Sequence, residues 1–161
     1  LERLGARTFW IDCEVLQADG GTRTAAVTGG YVALQLAMRR LAADGLMDGN
    51  PVREALAAVS VGKVDGEILL DLDYEEDCRA QVDMNFVATE GGRFIEVQGT
   101  AESDPFTEAE MTAMTAAARA GLAALIQSQY RAPGGRRSTL SLIRLSALIW
   151  IWWSLSTNWK W

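Results

Sequence analysis

The chain has no histidine among its 161 residues. That absence removes Ser-His-Asp and Cys-His nucleophilic chemistry and every histidine-ligated metal site. Cysteine is scarce as well: Cys13 and Cys78 stand alone with no CxxC spacing. Reduced thiols are expected rather than a disulfide framework or a zinc site. No basic, apolar leader with a small-residue cleavage site opens the chain, and its first residue is Leu1, so a fragment of a cytoplasmic protein is expected. Any reaction must then be carried by carboxylates, arginine or lysine, hydroxyls, backbone N–H groups and a hard cation. Magnesium or manganese fits, since both prefer oxygen ligands.

Basic residues are also in short supply, 15 Lys and Arg against 21 Asp and Glu, for a net charge of −6. The imbalance is uneven. All the acids lie in residues 1–131, whereas residues 132–161 carry four basic residues and no acid. An acidic body argues against binding a duplex through a broad basic face. Contact with RNA would have to be local, or rest on protein outside this chain.

What is present is regular patterning. From Thr8 to Gln17, Phe9, Ile11, Cys13 and Val15 alternate with Trp10, Asp12 and Glu14, the period of a strand with one apolar face. Gln17-Ala18-Asp19-Gly20-Gly21 breaks that strand. Val27, Tyr31, Leu34, Met38 and Leu41 then recur at helical spacing. Asp48-Gly49-Asn50-Pro51 makes a turn, and two hairpins follow. Ala57 to Val64 and Glu67 to Asp73 flank Asp65-Gly66, a two-residue hairpin turn. The strand holding Val82, Met84, Phe86 and Ala88 returns after Glu90-Gly91-Gly92 as Arg93 to Gln98. A second helix is expected from about Thr107 to Tyr130, with Thr107 and Glu110 as a capping box and Met111, Met114, Ala118, Leu122 and Leu125 buried. Strand, helix, two hairpins, helix is an α+β order.

After Ala132 the character changes. Pro133-Gly134-Gly135 reads as a break, and five of the six tryptophans fall in the last 12 residues. The apolar run from Leu145 to Leu155 falls short of the ~20 residues that span a bilayer, so no membrane association is expected of the domain. Tryptophans at this density also suit an interfacial anchor. Residues 1–132 are therefore read as one domain and 133–161 as a separate, non-native extension.

Three segments carry candidate chemistry. Gln17 to Thr24 joins a strand to a helix start. Two glycines, the Thr22 and Thr24 hydroxyls and Arg23 can cradle an anion there, and the same residues also suit a tight turn with Thr22 or Thr24 as N-cap. Between Asp65 and Asp83 stand eight carboxylates and one basic residue, Arg79. Such crowding suits a cation among them, or a solvated acidic hairpin. Asp83 and Asn85 share one strand face, opposite Val82, Met84 and Phe86. Glu96 and Gln98 share another.

Taken together these segments resemble the ribonuclease PH family, in which DCDVLQADGGTRT is typical. The likeness rests on Ile11 to Thr24, Ala57 to Gly62, Leu70 to Asp77, Val82 to Asn85 and Glu96 to Glu102, in matching order and spacing across about residues 2–131. Glu14 stands where the family usually has Asp, and Cys78 where Ser is common. The resemblance implies the α+β fold of ribosomal protein S5 domain 2, here N-terminally truncated, and a ring-shaped homo-hexamer built as a trimer of dimers. It implies a phosphorolytic 3′-to-5′ exoribonuclease, also called tRNA nucleotidyltransferase, acting on tRNA precursors and other structured RNA 3′ ends. Inorganic phosphate would be co-substrate, with Mg2+ or Mn2+ as cofactor. Gly21, Thr22 and Arg23 match the family's phosphate-binding positions, and Asp77 and Asp83 its catalytic, metal-associated pair. The family's N-terminal half, which carries further arginines for phosphate and tRNA, has no counterpart here. A truncated remnant acting as an interaction module is the competing expectation, and this chain alone is expected to be a poor enzyme.

Overall fold

The computed structural model describes residues 4–131 and the backbone of residues 148–152. Strand β1 (Asp12–Gln17) leads into helix α1 (Thr22–Ala43), then β2 (Leu56–Val64), β3 (Glu67–Leu70), the short helix α2 (Tyr74–Arg79), β4 (Val82–Thr89), β5 (Phe94–Ala101) and helix α3 (Glu108–Arg131). A final strand, β6 (Leu148–Trp152), pairs antiparallel with β1. The main sheet is antiparallel in the order β3-β2-β4-β5. The expected α+β class is what is found.

Alternation in β2 and β4 divides this sheet into two unlike faces. One face is apolar. Val59 and Val61 on β2, and Val82, Met84, Phe86 and Ala88 on β4, pack with Met114, Ala118, Leu122 and Ile126 of α3. Phe86 is fully buried, with its ring 5.9 Å from that of Phe94. The expected capping box starts α3: Thr107 Oγ1 accepts from Glu110 N at 3.2 Å, and Glu110 Oε2 accepts from Thr107 N at 2.7 Å. Lys63 binds Glu110 Oε1 at 2.5 Å and ties the helix start to β2.

The opposite face carries α1 and is polar. Helix α1 buries Met38 and Leu41 of the expected apolar stripe, with Leu34 packed beside them and Tyr31 partly buried against the main core, but its buried positions toward the N-terminus include Thr24 and Thr28, which the stripe leaves out. The reason lies at the edge of β2. Because β3 pairs only with residues 61–64, the N-terminal part of β2 lacks a strand neighbour on that side among the described residues. Thr28 Oγ1 accepts from Ala58 N at 3.0 Å and donates to Ala58 O at 3.3 Å, and Gln129 Nε2 donates to Leu56 O at 2.9 Å. Helix side chains thus complete the edge, since buried backbone groups must be paired.

Two further expectations change. The first strand begins at Asp12 rather than Thr8, and all six of its residues are exposed, so its alternation buries no apolar face. Its edge takes the backbone of β6 as partner. Second, the acidic run is not all hairpin: Tyr74–Arg79 is helical. The reading of residues 133–161 as a non-native extension or an interfacial anchor lies outside the described residues, save the backbone of β6.

Candidate active site

The loop between β1 and α1 is pressed against the segment that precedes α2. A Cβ on Gly20 would lie 2.0 Å from the Leu72 carbonyl oxygen, so only glycine allows this approach. Gly21, at φ 69°, is the N-cap of α1. Neither threonine fills the expected capping role. Thr24 Oγ1 donates to Gly21 O at 2.8 Å, and Thr22 Oγ1 donates to Asp19 O at 3.2 Å. The first turn of α1 contains no acidic residue. A 22-residue helix therefore presents its positive end at Gly21, Thr22 and Arg23 with no side-chain capping bond to Gly21's helix start, the arrangement that suits an anion.

Arg23 reaches from the first turn of α1 across the polar face to β5. Its guanidinium makes a two-pronged ion pair with Glu96, 2.5 Å from Nη1 to Oε1 and 2.8 Å from Nη2 to Oε2. Glu96's hydrogen bond and charge push the Arg23 pKa up, and Arg23's hydrogen bond holds the Glu96 carboxyl below its ordinary value. Both side chains stay partly open to solvent. Arg23 keeps further N–H donors beyond the two that Glu96 occupies. Glu96, which sequence reading leaves as a strand-face residue, is the group that aims Arg23.

The carboxylate pair comes from α2 and β4. Helix α2 starts with a reciprocal capping box that its sequence, Asp73 followed three residues later by Glu76, already spells: Asp73 accepts from Glu76 N, and Glu76 Oε2 accepts from Asp73 N at 3.0 Å. This turn presents Asp77 beside Asp83. Asp83 is half-buried, and its carboxyl is pushed above its usual range first by burial, then by the charges of Asp77 and Glu102. Glu102, the last residue of the Glu96–Glu102 segment, is thus a third carboxylate near the pair, a role that sequence reading leaves unassigned. Among the described residues no three His, Cys, Asp or Glu side chains converge in metal-ligating array.

Strand register sets these groups on one surface. Gly62, Asp83 and Thr100 are cross-strand neighbours, as are Ser60, Asn85 and Gln98. Directly opposed residues share a face, so Asp83, Asn85, Gln98 and Thr100 line the side away from α3. Ser60 Oγ is buried without a hydrogen-bond partner among the described residues and lies 3.3 Å from where a Gly21 Cβ would be. The anion loop, Arg23 and the aspartate pair therefore border one polar surface. A hard cation fits the donor set: Asp77 and Asp83 are oxygen donors, and it would offset both the burial that chiefly raises the Asp83 pKa and the repulsion from Asp77 that adds to it, with water or phosphate oxygens completing its shell.

Residues 54–121 match the family model described as 3′ exoribonuclease family, domain 2. Ribonucleases PH of Neisseria meningitidis, from serogroups A, B and C, are 53% identical over 132 residues, covering 82% of this chain and 54% of theirs. The chain thus spans about half the length of the curated relatives it matches. An archaeal exosome core superposes with a TM-score of 0.58 at 17% identity, covering 71% of this chain and 47% of that one. The Archaeoglobus fulgidus exosome with RNA bound to its active site gives 0.55 at 18% identity, covering 70% and 44%. At such identities these two show the fold alone, an α+β architecture of the S5 domain 2-like kind. No helix among the described residues is long and apolar enough to cross a membrane.

Proposed function

From the premise that this chain belongs to the ribonuclease PH family, as a C-terminal half, we propose that its polar face is the phosphorolytic site of a 3′-to-5′ exoribonuclease. The observation that carries this reading is the meeting of an anion-binding helix start and a repelling aspartate pair on one surface. Phosphorolysis needs both. An oxygen of inorganic phosphate attacks the terminal phosphodiester phosphorus, the bond to the preceding 3′-oxygen breaks, and that oxygen takes up a proton. The products are a nucleoside diphosphate and an RNA shorter by one nucleotide.

Both reactants are anions, so their approach must be compensated. Gly21, Thr22 and Arg23 would hold the attacking phosphate through backbone N–H groups, a hydroxyl and the guanidinium that Glu96 steadies. Asp77 and Asp83 would hold magnesium or manganese. When bound, such an ion supplies charge neutralisation at the departing oxygen. Asn85, Gln98 and Thr100, on the same strand face, offer polar contacts beside it.

The finer reading takes tRNA precursors and other structured RNA 3′ ends as substrates, a homo-hexamer as the assembly and the cytoplasm as the location. Residues 133–161 fall outside the family domain in this reading. The apolar side chains left exposed on and before β1, Trp10 and Leu16 foremost, support a further protein body lying against this half. To test the function, residues 1–131 are joined to the N-terminal half of the matched meningococcal ribonuclease PH. RNA ending in a radiolabelled nucleotide is then supplied with phosphate and magnesium. Release of labelled nucleoside diphosphate, dependent on both, is expected; monophosphate release without phosphate would reject phosphorolysis.

A further inference from the structure

Helix α2 is poorly anchored for an element that carries a site residue. It has six residues, none of them buried, and an isolated helix of that length is unstable in water. Its own capping box settles the N–H groups of Asp73 and Glu76. The N–H of Tyr74 goes elsewhere, donating to Asp19 Oδ1 at 2.6 Å across 55 residues of sequence. The same oxygen accepts from Gly20 N at 2.9 Å, within the loop that forms the start of α1. Beneath this contact Leu72, fully buried, fills the space against Gly20 and Gly62.

We propose that Asp19 is a positioning residue that couples the anion loop to α2, so that the phosphate cradle and Asp77 are set by one carboxylate oxygen. This rests on the proposed reading of the site and extends it to a residue outside both groups. A charged acceptor shared by two backbone donors is a strong, directional link. With few other anchors on α2, its loss should loosen Asp77 while the sheet stays intact. Coupling also runs in reverse: an anion that orders Gly20 and Gly21 would steady Asp19, the acceptor of the Tyr74 bond, so phosphate should tighten metal binding.

The test uses the full 161-residue chain and two variants, Asp19→Ala and Asp19→Asn. Hydrogen exchange at the amides of residues 74–80 is read beside manganese binding by spin-resonance titration, and inorganic phosphate binding by calorimetry. In Asp19→Ala those amides should exchange about tenfold faster, the loss of roughly one charge-assisted hydrogen bond. Manganese affinity should fall by about tenfold, as for loss of a group that orients a ligand. Thermal midpoint and exchange in β2 and β4 should hold. Asp19→Asn keeps an Oδ1 acceptor and should fall between, which guards against misfolding of the alanine variant. Weaker phosphate binding with α2 exchange and manganese affinity unchanged in both variants would overturn the coupling while leaving the phosphate cradle standing. Binding of neither ligand by the unaltered chain would overturn the site reading itself, and the exchange data would still decide whether Asp19 holds α2.

Discussion

The two faces of the main sheet are built from alternate residues of the same strands, yet they are held to opposite standards. On the α3 side, Met84 and Phe86 sit in a dry core with Met114 and Leu122. On the other side, Asp83 is half-buried among like charges, a placement that does nothing for stability. One face is optimised for burial, while the other keeps an unfavourable electrostatic arrangement that a bound cation would relieve. A residue's place in the strand alternation therefore tells which property its loss should damage.

Crossing the two faces sharpens this contrast. The largest effect is expected for Asp83→Asn in the completed enzyme, where turnover should fall on the order of a hundredfold or more through loss of a carboxylate that would hold the charge-neutralising cation. Stability should move the other way. Because the folded-state pKa of Asp83 is raised, the folded chain binds more protons than the unfolded chain between the ordinary and raised values, and stability falls as pH rises through that window. Asp83→Asn should remove this loss, matching the parent in acid and exceeding it at neutral pH in urea titrations without metal. An equal drop in stability at every pH would place Asp83 in the structural class instead.

Phe86→Ala is the mirror image. It should cost about 3–5 kcal/mol in a denaturant titration, because a fully buried ring leaves a cavity between β4 and α3. Any residual folded enzyme should keep its phosphate and magnesium midpoints. Arg23→Ala comes next. Losing the guanidinium should weaken use of phosphate by about tenfold for each ~1.4 kcal/mol of interaction removed, with thermal stability little changed. An unaltered phosphate dependence would exclude Arg23 from the cradle.

The smallest effect lies at the start of α3. Lys63 and the Thr107 cap hold the Glu110 carboxyl down to about 2. A depressed folded-state pKa means stability present above the ordinary carboxylate value and lost as pH falls toward about 2. Glu110→Gln should therefore flatten the acid limb of the stability profile between pH 4.5 and about 2, a modest change at a solvent-open site. An unchanged acid limb would show that the cap contributes nothing measurable.

Much of this was legible in the sequence, for local reasons. Period-two alternation in Val82 to Ala88, the Asp65-Gly66 turn and the Thr107–Glu110 box each follow from short-range chemistry, and all appear as expected. The polar face was half legible. Spacing set Asp83 beside Asn85, and family likeness named Gly21, Thr22, Arg23 and Asp77. What stayed hidden was tertiary. Thr28 is buried because β2 lacks a neighbour along part of its edge, and no helical periodicity announces that. Asp19 meets Tyr74, and Arg23 meets Glu96, across sequence gaps of 55 and 73 residues. Helix α2 was missed because its capping signature lay within a run of acids that composition alone reads as a solvated turn.

The central claim is that one polar face holds both phosphate and the metal-associated aspartates for a single phosphorolytic step. It is tested most directly by end-group analysis of RNA cleavage in residues 1–131 completed with the relative's N-terminal half, measured with and without phosphate and magnesium. The account predicts nucleoside diphosphate as the released product, absent when either is withheld, abolished in Asp83→Asn and strongly reduced in Arg23→Ala. Undiminished diphosphate release by both variants, or cleavage that proceeds without phosphate, would contradict it.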